Sequence, residues 1–270
     1  MSKYLPDGNY GVIPDLQCPY HDKRTVQALT KFLWDASFDG LLGVGDESDQ
    51  PEPSQWSKQK AAEYLPTFEK GLQSTYDTLL NFTQTLKKDK PFHLMRSNHA
   101  DRIQKYLDRY APALSKTSWN QYERIMGYNG HTPLLENRLA PLPITFHHKP
   151  YQFAREWVMV HGDESGMSQS PGGTALGLAK KIGLSVVCGH THRAGVQHFN
   201  SGHSGKLHTQ LTGLEVGHAM DLKQAGYLGT GAANWQQAFA ILRIRKGVVY
   251  PELILIKDHK FVVEGTHYGA

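Results

Sequence analysis

The sequence predicts a mixed-sheet α/β domain. Three observations point to it: short apolar, β-rich runs alternate with helical stretches through the front of the chain, similar runs cluster without helices at the back, and 39% of the 270 residues are apolar, enough for a packed core. The front runs are NYGVI, GLLGVG, PFHLM, EWVMV and LSVVC; KLHTQLTG, AFAILRI, GVVYPELILI and HKFVVEG follow. Helices are expected over DKRTVQALTKFLWDA, over QKAAEYLPTFEKGLQSTYDTLLNFTQTLKK with breaks at Pro66 and Gly71, over NHADRIQKYLDRYAPAL and over GGTALGLAKKIG. Aromatic residues at helical spacing, such as Trp34, Tyr64, Phe68 and Tyr106, are read as core. No internal repeat or linker interrupts the pattern, so one domain over 1–270 is expected.

Composition narrows the function. Two cysteines, Cys18 and Cys188, exclude a disulfide framework and a four-thiolate zinc site, and both are read as small buried apolar residues. Twenty-nine basic against 25 acidic residues leave a mild +4, with no Lys/Arg tract that would argue for nucleic acid. No stretch approaches the roughly 18 apolar residues of a membrane helix, and no signal peptide is visible, so a cytoplasmic protein is expected. The 15 histidines are unusual.

The polar residues fall at strand ends. Asp15 and Gln17 follow the first run, Asp46 and Asp49 the second, Asn98 and His99 the third, His161 the fourth, and His190 and His192 the fifth. Ligands of open α/β sheets bind beyond the carboxyl ends of strands, so these ends imply one converging site. Carboxylate, imidazole and amide oxygen together suit Mn, Fe, Zn or Ni. The candidates are too many for one ion, and a central carboxylate such as Asp46 can bridge two ions roughly 3.5 to 4 Å apart, the arrangement that hydrolyses phosphate esters. Each residue has a plainer reading: a strand-end Asp is often a helix cap, Asn98 alone a turn residue, His161 a satisfied core histidine.

Five blocks in order, DLQ, GDESD, SNHAD, VHGD and GHTH, resemble the calcineurin-like metallophosphoesterases over about residues 10–195. LEVGHAMD and GAANWQQAF are similar to phage-encoded members. The resemblance implies a four-layer fold, a mixed β-sheet sandwich flanked by helices. It makes Asp15 and His192, with Gln17 beside them, ligands of one metal; Asn98, His161 and His190 ligands of the other; and Asp46 the bridge. His99 becomes the acid that protonates the leaving alkoxide after a metal-bridging hydroxide attacks phosphorus. Three departures stand out: Gln17 replaces a His, Ser97 a Gly, and Ala100 an acidic residue whose role of orienting His99 passes to Asp101. Asp49 is read as structural. Arg102 and Arg193 are candidate phosphate contacts, and His208 and His218 are placed on a surface rim.

The expected function is a phosphodiesterase with two divalent ions, manganese first, acting on small diesters such as 2′,3′-cyclic nucleotides, in the host cytoplasm for a phage-encoded chain. Insertions at about 51–90 and 102–143 are expected to wall the cleft, with Trp119, Tyr122 and Tyr128 available to stack a base. A nuclease, a phosphomonoesterase or protein phosphatase, and a degenerate scaffold are the alternatives.

Overall fold

The computed structural model describes residues 3–113, 139, 141–224 and 233–269. In chain order the strands are β1 (Gly8–Ile13), β2 (Gly40–Gly43), β3 (Phe92–Met95), β4 (Ile144–His147), β5 (Tyr151–Ala154), β6 (Trp157–Met159), β7 (Ser185–Cys188), β8 (Ala194–His203), β9 (Lys206–Val216), β10 (Ala238–Arg245), β11 (Val248–Leu255), β12 (Phe261–Val263) and β13 (Thr266–Tyr268). The helices are α1 (Lys23–Ala36), α2 (Phe68–Thr85), α3 (Arg102–Tyr110) and α4 (Gly173–Ile182).

One sheet has the order β11-β10-β1-β2-β3-β4, with β1 to β4 mutually parallel and β10 and β11 antiparallel. The other has the order β5-β6-β7-β9-β8, parallel through β6, β7 and β9. Strand alternation gives each sheet two apolar faces. Tyr10, Val12 and Leu42 of the first sheet meet Met159, Val187 and Leu214 of the second in a core between the sheets. Ile13, Leu41 and Leu94 point the other way, under α1 and α2. The outer face of the second sheet, through Val158 and Val186, packs on Ala175 and Ala179 of α4. The expected four layers, helix–sheet–sheet–helix, are those observed.

Helix α1 shows how local sequence sets an element. Asp22 caps it by accepting hydrogen bonds from the Arg24 and Thr25 amides, both at 3.1 Å, a contact worth about 1 kcal/mol. Leu29, Phe32 and Leu33 then line one buried face, each side chain contributing roughly 1.5–3 kcal/mol.

Several expectations change. Of the run from Gln59 to Lys88 only Phe68–Thr85 is α-helical; before Pro66 there is a 3₁₀ turn, Ala61–Tyr64, and Gly71 lies inside α2 and is buried. Four strands were not legible, β4, β5, β8 and β13, short or polar segments that gain their strand character from pairing. Trp34 and Tyr64 are surface residues, 64% and 74% exposed. Within 51–90, Pro51, Ser57 and Leu65 line the cleft described below, whereas Leu72, Leu79 and Phe82 belong to the core. Trp119, Tyr122 and Tyr128 lie outside the described residues. Both cysteines are free and buried. Among the described residues no helix is long and apolar enough to cross a membrane.

Candidate metal centre and active site

Parallel strands deliver the polar residues to one place. The loop after β1 is stitched to the loop after β2, since the Leu16 and Gln17 amides both donate to the Asp46 carbonyl, at 3.1 and 2.9 Å. That pairing sets Asp15 beside Asp46. The loop after β7 closes the floor from the second sheet. Gly189 is required there, because a Cβ would overlap Asp15 Oδ1 and Val44. Gly45, at φ +103°, is likewise pressed against His161 and Ser97. Gln17, Asp46, His190 and His192 all have positive φ, 52° to 68°, a conformation costing an L-residue roughly 1–2 kcal/mol. Four such residues at one spot mark a site rather than a turn.

The candidate ligands fall into two groups that share one carboxylate. Asp15, Asp46 and His192 have ligand atoms within 4.8 Å of one another, and so do Asp46, His161 and His190. Asn98 joins the second group, its Oδ1 2.8 Å from His161 Nε2. Gln17 joins the first, its Nε2 3.1 Å from Asp46 Oδ2 and 3.2 Å from His192 Nε2. Which of the two amide atoms faces the pair is a matter of one rotation about the last torsion; turned over, the Oε1 atom would face the same point.

Burial and satisfaction argue for cations here. Asp15 and Asp46 are 0% and 1% exposed, yet both oxygens of Asp15, Asp46 Oδ1 and Gln17 Oε1 are buried without a hydrogen-bond partner. Stranded buried carboxylate oxygens cost several kcal/mol unless a cation meets them. His161 makes the same demand. Its Nδ1 faces the Val44 carbonyl at 2.8 Å, while Nε2 faces Asn98 Oδ1 and, at 3.4 Å, Asp46 Oδ1. Oxygens face both sides of one ring, as they would around an imidazolium or beside a metal on Nε2. Burial alone would lower the His161 pKa, but the charge and hydrogen bond of Asp46, with Asp15, push it up to about 10. Burial and the Asp46 charge push the Asp15 carboxyl well up. For Asp46 burial acts the same way and is outweighed by His99, His161 and His190, which hold its carboxyl well down. The residues present fit a dinuclear metal site.

His99 stands beside the shared carboxylate, Nε2 3.8 Å from Asp46 Oδ2. The orienting role expected of Asp101 is not observed: Asp101 forms a two-pronged pair with Arg96 and lies 3.5 Å from Lys105. The nearest carboxylate to His99 Nδ1 is Asp49, its Oδ1 at 3.4 Å, close enough to act on the ring by charge although Nδ1 makes no hydrogen bond. Nothing in the spacing of Asp49 shows this, because its partner is fifty positions away. Arg102 donates from Nη2 to His99 Nε2 at 2.6 Å and from Nη1 to the Asp49 carbonyl. Arg193 is held by the Ser168 carbonyl at 2.8 Å. Both arginines line a cleft of about 880 Å³ whose floor is Asp46, Asn98, His99, His190 and His192.

Two residues missed by the sequence reading, Glu215 and Trp235, and one expected on a rim, His218, support this floor. Glu215, fully buried, accepts from the Thr174 and Ala175 amides at the start of α4 and from Thr191 Oγ, so it ties the His190–His192 turn to that helix. His218 is not on a rim: it is 0% exposed, its ring 5.3 Å from that of His192, and burial lowers its pKa to about 4. Trp235 packs edge-on against His192 at 4.4 Å and lines the cleft. His208, by contrast, is exposed and stacked on His203.

Comparison with known proteins adds the lineage. The chain is 31% identical over 259 residues to the Gene 54 protein of Mycobacterium phage L5, covering 94% of this chain and 96% of that protein. It is 30% identical over 257 residues to the Gene 54 protein of Mycobacterium phage D29, with the same coverage. The chain belongs to the mycobacteriophage Gene 54 protein family. No family model matches it. Among solved structures, Vps29 from Cryptosporidium parvum is similar to this Gene 54 family member over 98% of this chain and 100% of its own, at 14% identity and a TM-score of 0.49. Vps29 from Chaetomium thermophilum is similar over 97% and 98%, at 11% and 0.47. The site of the Gene 54 family member is argued from its own residues alone.

Proposed function

We propose that this protein is a metal-dependent phosphodiesterase holding two divalent ions, manganese first among them. The observation that carries the reading is the pair of Asp/His groups joined through Asp46, beside His99, on the floor of a cleft. Asp15, Gln17 and His192 would hold one ion, Asn98, His161 and His190 the other, and Asp46 both. When bound, the ions supply Lewis-acid activation of water and neutralisation of phosphoryl charge.

The chain's own residues do the rest. Asp46 fixes the spacing of the two half-sites because it belongs to both. His99 Nε2 accepts from Arg102 here. Once a bound phosphate has drawn Arg102 off that nitrogen, His99 would hand a proton to the leaving oxygen, with the Asp49 charge 3.4 Å from Nδ1 favouring the protonated ring. Arg102 now aims a donor at that same Nε2, so an incoming phosphate oxygen would find the guanidinium within reach; Arg193 stands on the opposite wall. Asp101 has no part in the proton transfer.

A small diester such as a 2′,3′-cyclic nucleotide is the minimal substrate, and a cleft near the upper end of the roughly 300–1,000 Å³ range of small-molecule sites has room for more than one nucleotide. The phage origin of the relatives supports action in the cytoplasm of an infected cell. Hydrolysis of bis(p-nitrophenyl) phosphate with added Mn²⁺, abolished by a strong chelator, tests the reading; a metal-loaded protein inert on a broad phosphoester panel would leave a non-catalytic scaffold.

A further inference from the structure

A groove leads away from His99. Helix α3 carries Arg102, Lys105 and Arg109 at positions i, i+3 and i+7, so the three cations share one face. Tyr106 and Tyr110 lie beside them, ring centroids 5.0 Å apart. The loop from Pro53 to Trp56 forms the other wall of a hollow of about 230 Å³. Ser54, Trp56, Asn98 and Arg102 line both this hollow and the main cleft, so the two form one channel.

The surroundings favour a particular ligand. Trp56 is 74% exposed and Tyr110 40%, large rings left at the surface beside cations. Two acidic neighbours are neutralised, Glu63 by Lys58 and Asp101 by Arg96 and Lys105, while Asp108, held by the Gln104 side-chain amide, keeps its charge against the three cations of the stripe. Arg109 lies 5.4 Å over the Tyr110 ring, and Lys58 lies 4.1 Å over the same ring. Cations alternating with exposed rings match a chain that alternates phosphates with aromatic bases. From Arg102 to Arg109 the helix runs about 10 Å, the span of about three nucleotides at roughly 3.4 Å each in a stacked strand. An acidic peptide would use the cations and leave the rings idle, and a duplex hides its base faces.

We propose that this groove binds single-stranded nucleic acid, phosphates on Arg102, Lys105 and Arg109 and bases on Trp56 and Tyr110, and so holds the leaving strand of an oligonucleotide whose scissile phosphate lies at His99. The placement of the scissile phosphate rests on the phosphodiesterase reading; the binding does not. It shifts the substrate class from the cyclic mononucleotide toward the oligonucleotide. The sequence conceals the stripe because its cations are three and four residues apart in ADRIQKYLDRYA.

Binding of a fluorescein-labelled dT 12-mer, read by anisotropy in excess EDTA across a salt series, tests the groove. Three phosphate contacts predict a slope of log affinity against log salt of about −2 for a single strand, and Lys105→Gln/Arg109→Gln should reduce it to about −0.7. Lys180→Gln/Lys181→Gln, on α4, should leave it unchanged. Trp56→Ala should weaken binding at least about fivefold, and an abasic 12-mer should bind the wild type at least that much more weakly. A slope unaltered in the Lys105/Arg109 variant, or abasic and dT strands bound equally, would overturn the proposal, the second in favour of a general polyanion surface. Hydrolysis of bis(p-nitrophenyl) phosphate by the same variants loaded with Mn²⁺ reports separately on the phosphodiesterase reading, since that ester is too small to extend from His99 to Lys105 and Arg109.

Discussion

At the scale of the residue, the account divides the polar side chains between holding cations and moving a proton. His99→Ala should therefore keep its metals and lose rate according to the leaving group. An alkoxide needs the proton, so the loss should be about 10²- to 10⁴-fold on a dinucleotide and clearly smaller on a p-nitrophenyl ester; equal losses would give His99 an electrostatic role only. Asp49 and Asp101 provide a sharper contrast. Asp49→Asn should follow His99→Ala in the same sense, about tenfold or more, whereas Asp101→Asn, which loses Arg96 and Lys105, should lower stability with little change in rate. Steady-state kinetics beside urea unfolding separates them. The metal candidates were legible because each lies in a short polar block that follows an apolar run. Asp49, Glu215 and His218 were not, since their significance depends on partners that sequence spacing does not reveal.

At the scale of the element, the turn Gly189–His192 carries two candidate ligands in left-handed backbone and is anchored by one carboxylate. Glu215→Ala would strand two α4 amides and the Thr191 hydroxyl, a cost of about 3 kcal/mol. Urea unfolding should show that loss, and titration calorimetry should show weaker metal binding, because the turn is no longer fixed. Wild-type metal affinity in a destabilised Glu215→Ala would mean that the turn holds itself. The strands and helices that deliver the site were readable from periodicity. The edge strand β8, AGVQHFNSGH, was not: it mixes Gly, Asn and Ser with few apolar residues and owes its conformation to ten pairings with β9. The stripe on α3 was hidden for a related reason, as composition counts charges and only the helix aligns them.

At the scale of the whole molecule, stability should depend on pH through histidines kept neutral by burial. His93 and His218 both have folded pKa values lowered to about 4 by burial, from an ordinary 6.5, the charge of His147 adding to the effect at His93. Between those values the unfolded chain binds more protons than the folded one, so stability falls as pH drops from 6.5 toward 4. The urea midpoint should thus be lower at pH 5 than at pH 7, and His93→Gln should shrink the difference. His161, raised to about 10, acts in the opposite sense, so the comparison of the two proteins is decisive: an unchanged difference in His93→Gln would show that this ring is solvated.

The central claim is that one carboxylate joins two metal half-sites. Mn²⁺ counted by mass spectrometry in wild-type and Asp46→Asn protein, after loading and removal of free ion, tests it most directly. The account predicts two ions per chain in the wild type and loss of both on Asp46→Asn, with hydrolysis of bis(p-nitrophenyl) phosphate lost in parallel. Two ions retained by Asp46→Asn would contradict it.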